Sequence, residues 1–171
     1  MRGAAAGAVA AAAWSASEPV LRRLAGTTYS NARLLGRFAT RSRAWPLAGV
    51  ALHVANGAAF GAAFERLGLE GVKAGIVAAQ VENTLAWPAM AIVDRIHPDR
   101  RDGTWPPLFR NSRVAAQEIL GHAIFGAVLG RLVSAPESAT RRPRRTRRPP
   151  PRASRWTASG RGVLTRRMEF R

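Results

Sequence analysis

Four long runs in this chain are poor in charge and rich in alanine and glycine. They cover residues 3–21, 46–64, 71–93 and 114–133, and polar, arginine-bearing stretches separate them. Each matches the length needed to cross a bilayer as a helix, about 20 mainly apolar residues. Apolar residues occupy every face of these runs rather than one stripe, so the predicted helices have apolar surroundings on all sides. Arginine clusters or Trp-Pro pairs (Trp45-Pro46, Trp105-Pro106) bound them. Such residues suit the headgroup layer where a helix leaves the membrane. Residues 22–45 and 94–113 read as polar connections, and residues 65–70 as a tight one. The expected fold is all-α: a four-helix transmembrane bundle over 1–134, followed by a separate tail, 135–171. A soluble bundle with alanine-rich buried helices is the alternative.

A repeat runs through this pattern. His53, Gly57 and Gly61 recur as His122, Gly126 and Gly130 at an offset of 69 residues. Gly3 and Gly7 recur as Gly71 and Gly75 at 68, and Pro19 as Pro88 at 69. Helices 1–2 and 3–4 therefore read as two copies of one hairpin, both entering from the same side. The start, Met1-Arg2 with an alanine run and Ser15-Ala16-Ser17, also resembles a cleavable signal peptide. Cleavage would remove the partner of helix 3, so the repeat argues against it.

The repeat orders the helices by depth. All eight glycines fall toward the side that holds the N-terminus, where small residues let backbones approach closely. Glu18, His53, Glu82, Asn83, Glu118 and His122 fall at mid-depth or toward the other side, where Pro19 and Pro88 allow kinks. This segregation predicts a bundle pinched at the glycine side and splayed at the other, around a polar vestibule lined by those six residues. Ionisable groups inside a membrane cost several kcal/mol each and normally face the bundle interior or water. Histidine and asparagine there also serve as interhelical hydrogen-bond glue. Glu118 and His122, four apart on one helix face with His53 opposite, raise the idea of a metal, but no further ligand set is evident and none is expected. His97, beside Pro98 in the second connection, is expected at the surface.

Charge changes the picture at one end. The net charge is +17, and twelve arginines lie between Arg141 and Arg171 with Glu169 as the one acid. An Arg/Pro-rich segment of this kind buries no core and is expected to be disordered. It would bind anionic lipid headgroups or, with strong salt dependence, nucleic acid. The connections 22–45 and 94–113 carry eleven arginines on the side opposite the tail. Loop and tail arginines thus pull the orientation in opposite directions, and the tail favours cytoplasmic termini. With no cysteine, thiolate chemistry and disulfides are excluded. No Ser-His-Asp order, P-loop or dinucleotide fingerprint is present. Neither an enzyme nor a cofactor is expected.

Glu18-Pro19, Ala79-Gln80 leading to Pro88, the Pro106-Pro107 loop and the run from Glu118 to Gly121-His122 carry a family resemblance. Over residues 3–133 the chain resembles small bacterial inner-membrane proteins of the YagU type. The resemblance implies a polytopic helical membrane protein without a known enzyme activity, and it identifies no site. Three functions compete. The leading one is a small multi-pass inner-membrane protein acting through helix packing, as a homo-oligomer or an accessory subunit. The second is proton-coupled or small-solute transport through the vestibule. The third is a soluble, nucleic-acid-binding helical protein using the tail.

Overall fold

The computed structural model describes residues 2–134, and every regular element among them is helical. The basic tail lies outside the described residues. Four long helices dominate: α1 (Arg2–Ala25), α3 (Trp45–Arg66), α4 (Gly71–Ala86) and α7 (Ser112–Val133). Shorter helices fill the connections: α2 (Asn31–Ala39), α5 (Met90–Ile96) and α6 (Pro98–Arg101). Two helices are long and apolar enough to cross a membrane: Trp45–Arg66, and the nearly continuous helix Gly71–Ile96.

Local chemistry sets the ends. Alanine, the best helix former, carries α1 through most of its length. α1 and α3 stop in the same way, on Gly26 (φ 63°) and Gly68 (φ 66°). In each, the residue after the glycine donates its N–H five positions back, Thr27 to Arg22 and Leu69 to Phe64. This glycine-centred closure satisfies carbonyls that the helix end leaves open. Ser30 caps α2 by accepting from the Arg33 N–H, and Asn111 caps α7 by accepting from Arg113 and Val114. At Pro88 the missing N–H interrupts the third long helix, and Trp87–Ala89 forms a 3-10 turn between α4 and α5. The apolar run expected to end at residue 93 therefore breaks at 87 and resumes to Ile96.

Glycines bring the long helices together in antiparallel pairs. A Cβ on Gly7 would lie 2.0 Å from the Gly57 carbonyl oxygen, and one on Gly61 2.1 Å from that of Gly3. Between α4 and α7, a Cβ on Gly75 would lie 2.1 Å from the Gly126 oxygen, and one on Gly130 2.3 Å from that of Gly71. Only glycine permits backbones this close. α1 packs against α7 through Trp14, whose indole fills the space left by Gly121. The helices thus pack in the order α3, α1, α7, α4, while α3 and α4 share a tight turn but do not pack along their length.

The two polar connections are structured. α2 lies on α3 through another glycine pair, where a Cβ on Gly49 would strike the Ala32 carbonyl and one on Gly36 that of Trp45. α2, α6 and the loop to Asn111 enclose a second apolar cluster of Tyr29, Leu34, Trp105, Leu108 and Val114. Sequence pattern does not reveal this cap.

Candidate functional site

A cleft of about 360 Å³ opens where α3 and α4 diverge. Trp14 of α1 and Phe125 of α7 lie on its apolar side, and Leu34 and Leu35 of α2 close one end. Its polar lining comes from Tyr29 and Asn31 at the start of α2, His53 and Asn56 of α3, Glu82 and Asn83 of α4, and Glu118 and His122 of α7. Five of the six residues expected in a vestibule therefore meet here. Helical spacing explains the gathering, because residues four apart share a face. Glu118 and His122 are one turn apart on α7, and each glycine pair sets which face of its helix turns inward.

Glu18, the sixth, does not line the cleft. It is buried beneath the start of α2, where it accepts from the Ser30 hydroxyl at 3.0 Å and from the Asn31 N–H. Its role is local: it holds the N-terminal turn of the helix that closes the cleft. Gln117, on the neighbouring face of α7, binds the same segment through the Thr27 hydroxyl and the Tyr29 carbonyl.

His122 is held at both ring nitrogens. Nδ1 lies 2.8 Å from the Glu118 backbone carbonyl, which can only accept, so Nδ1 carries a hydrogen. Nε2 then faces Glu82 Oε2 at 3.0 Å, and one proton lies between them. Whether it rests on nitrogen or oxygen, the pair is neutral overall. The Trp14 ring stands between the two histidines, 4.7 Å from His53 edge-on and 4.5 Å from His122. Trp14 was missed at the level of sequence, where it is a lone aromatic in an alanine run. The available signal was Gly121, the residue before His122, whose missing side chain leaves the space that the Trp14 ring fills.

Three polar atoms of this lining are buried without a hydrogen-bond partner: His53 Nε2, Glu118 Oε1 and the Tyr29 hydroxyl. Such atoms are uncommon in native interiors, because each forfeits its hydration without replacement. Tyr29 faces the Glu118 carboxyl, and its ring is fully buried. Burial, reinforced by Glu118 and Glu18, pushes its phenol well above the ordinary range, so it stays a hydroxyl. Among the described residues, no group of three histidines and carboxylates is arranged to hold a metal ion.

A second polar cluster lies in the cap. Asp99, 1% exposed, receives Arg33 Nε at 2.7 Å and Nη2 at 2.9 Å, with Arg37 Nε at 3.6 Å. Asp94 accepts from the Leu108 and Phe109 N–H groups and from Arg100 Nε. His97 is fully buried, not at the surface as expected. Its ring stacks on Trp105 at 4.6 Å, Nδ1 accepts from the Asp99 N–H and Nε2 meets the Leu34 carbonyl. These contacts define the neutral tautomer. Burial lowers its pKa against the opposing pull of the Leu34 bond and Asp99. Pro98 misled the surface reading: it starts α6, and the turn it starts folds His97 inward.

No family model, curated protein or solved structure matches this chain.

Proposed function

We propose that the chain is a small multi-pass protein of the cytoplasmic membrane, with four long helices crossing the bilayer and an interior cleft that takes up a small polar solute. One observation carries this reading: polar side chains are buried among the long helices while large apolar side chains face outward. His53, Asn83, Glu118 and His122 are all at most 8% exposed, whereas Leu47 and Leu85 on α3 and α4 are 78% and 77% exposed. Val77, Val81, Ile92 and Ile119 extend the outward apolar surface. In water such a distribution would leave large apolar patches uncovered. In lipid it is the favoured one, because the polar groups are those that must avoid hydrocarbon. The likeness to YagU-type proteins agrees with a polytopic membrane protein.

Within that setting the cleft favours solute handling over packing alone. Histidine and asparagine acting as glue would close their hydrogen bonds between helices. Here Glu118 and His53 each keep a buried atom open toward a shared space. The nucleic-acid reading rests on the tail alone.

Fractionation tests the membrane setting. The full chain is expected to pellet with membranes, to resist an alkaline carbonate wash and to enter solution with an uncharged detergent. Recovery in the supernatant without detergent would overturn it.

A further inference from the structure

We propose that the cleft binds a small primary ammonium ion, with Glu118 as its counter-ion. The proposal rests on the reading of the cleft as a solute site and names the class of solute.

Charge is the first argument. Among the described residues, no arginine or lysine lines the cleft. Two carboxylates do, Glu82 and Glu118, with the imidazoles of His53 and His122 as the groups beside them able to carry a cation. His122 is already committed. Its Nδ1 hydrogen goes to its own helix at 2.8 Å, and its Nε2 proton is shared with Glu82. The Glu118 carboxylate is 3.9 Å from Nδ1, too far for a hydrogen bond, and its Oε1 makes no hydrogen bond of ordinary geometry, even to the Tyr29 hydroxyl that faces it. Glu118 is therefore the acid left over, itself buried, inside a strongly basic protein. A cationic ligand supplies the missing charge.

Hydrogen bonding narrows the cation. Glu118 Oε1 can only accept when ionised, and His53 Nε2 is an acceptor in one of the two neutral tautomers. A primary ammonium carries three N–H donors and can satisfy both, whereas a quaternary ammonium offers none. The apolar walls complete the match. Trp14 and Trp87 line the same space, and indole faces attract cations as well as apolar bodies. A cleft of about 360 Å³ suits a molecule with a short apolar body rather than a bare metal ion.

The test titrates the full-length protein in uncharged maltoside micelles at physiological salt, following the intrinsic tryptophan fluorescence to which Trp14 and Trp87 contribute. The probes are benzylammonium, its neutral counterpart benzyl alcohol and benzyltrimethylammonium. Saturable binding of benzylammonium, at least tenfold tighter than either comparator, is expected. Glu118→Gln should remove that preference while the helical circular dichroism stays unchanged, and Glu82→Gln should weaken it less. Equal binding of benzylammonium and benzyl alcohol by the wild type overturns the proposal, and this comparison needs no variant to fold. A Glu118→Gln protein that binds benzylammonium as the wild type does overturns it as well. Tighter binding of the quaternary ion overturns the hydrogen-bonding argument and with it the primary amine. A chain that pellets with membranes but shows no ammonium preference sinks the ligand and leaves the membrane reading intact. One recovered in the supernatant sinks the membrane reading whatever it binds.

Discussion

Asp99 in the cap and Glu118 in the cleft are almost equally hidden, at 1% and 3% exposure, yet their surroundings treat them in opposite ways. Asp99 meets a guanidinium at both oxygens, with a second guanidinium behind the first. Glu118 has a histidine that has already spent its hydrogens and a tyrosine that does not close its bond. The cap joins two connections that lie 66 residues apart in sequence, and paired charge is what locates them. The cleft's helices are located by glycine contacts, with the His122–Glu82 pair as one polar tie between α7 and α4. Partnered charge serves architecture here, and unpartnered charge is available to a ligand.

The sharpest way to break this contrast is to neutralise Asp99. Asp99→Asn strands Arg33 and Arg37 beside a group without charge. Removing one partner of a buried pair costs about 3–5 kcal/mol, and partial exposure of Arg33 places the loss near 3 kcal/mol. The thermal midpoint of the detergent-solubilised protein should fall, and hydrogen exchange should quicken first in α2. Benzylammonium affinity at sub-denaturing temperature should change little. If stability holds, the cap is not organised by charge pairing.

Asp94→Asn should follow with about 2 kcal/mol, because one carboxylate receives two backbone N–H groups and Arg100. Here exchange should quicken at Leu108 and Phe109 rather than in α2. Loosening of α2 instead would mean that the cap behaves as one unit, not two separate clasps.

How much of this was legible in the sequence differs between the two regions. The long helices follow from uninterrupted apolar runs, and the glycines identify their contact faces, so the meeting of His53, Glu82, Asn83, Glu118 and His122 could be anticipated from spacing alone. Those are local regularities carried over a helix. The cap has none. α2 is nine residues long, and it docks because Gly36 and Gly49 allow it and because Arg33 finds Asp99. No periodicity encodes a partner so distant. Glu18 shows the same limit: its place on α1 was readable, but its engagement with the Ser30 turn depends on where the next segment folds. His97 shows it most plainly, since a histidine beside a proline in a polar connection gives no sign of the tryptophan that covers it.

His97 provides a smaller effect, with a definite sign. Its pKa is lowered by burial, so the folded chain binds a proton there less readily than the unfolded chain does. Its stabilising contribution is fully present above the ordinary histidine value of about 6.5. As pH falls through that value, the unfolded state takes up protons first and stability drops. The thermal midpoint should decline between pH 7.5 and 5.5. His97→Asn, whose amide oxygen can replace the Nδ1 acceptor, should show a shallower decline, and the slope difference isolates this residue from the other titrating groups. Identical slopes would show that His97 is not protonated on unfolding in this range.

The smallest expected change is the one that most sharpens the comparison. Glu118→Gln makes the same kind of substitution as Asp99→Asn, at a carboxylate just as buried. Glutamine keeps the shape and removes a charge whose Oε1 has no partner. A buried charge left incompletely paired is itself a cost, so its removal should be neutral or raise stability by up to about 1 kcal/mol. The attraction to His122 at 3.9 Å and the contact with the facing Tyr29 hydroxyl are what is lost against this. Thermal midpoints of the two variants, measured side by side in one detergent, check it. A fall near that of Asp99→Asn would make Glu118 a structural anchor, and the cleft would then be a second clasp rather than a place for a cation.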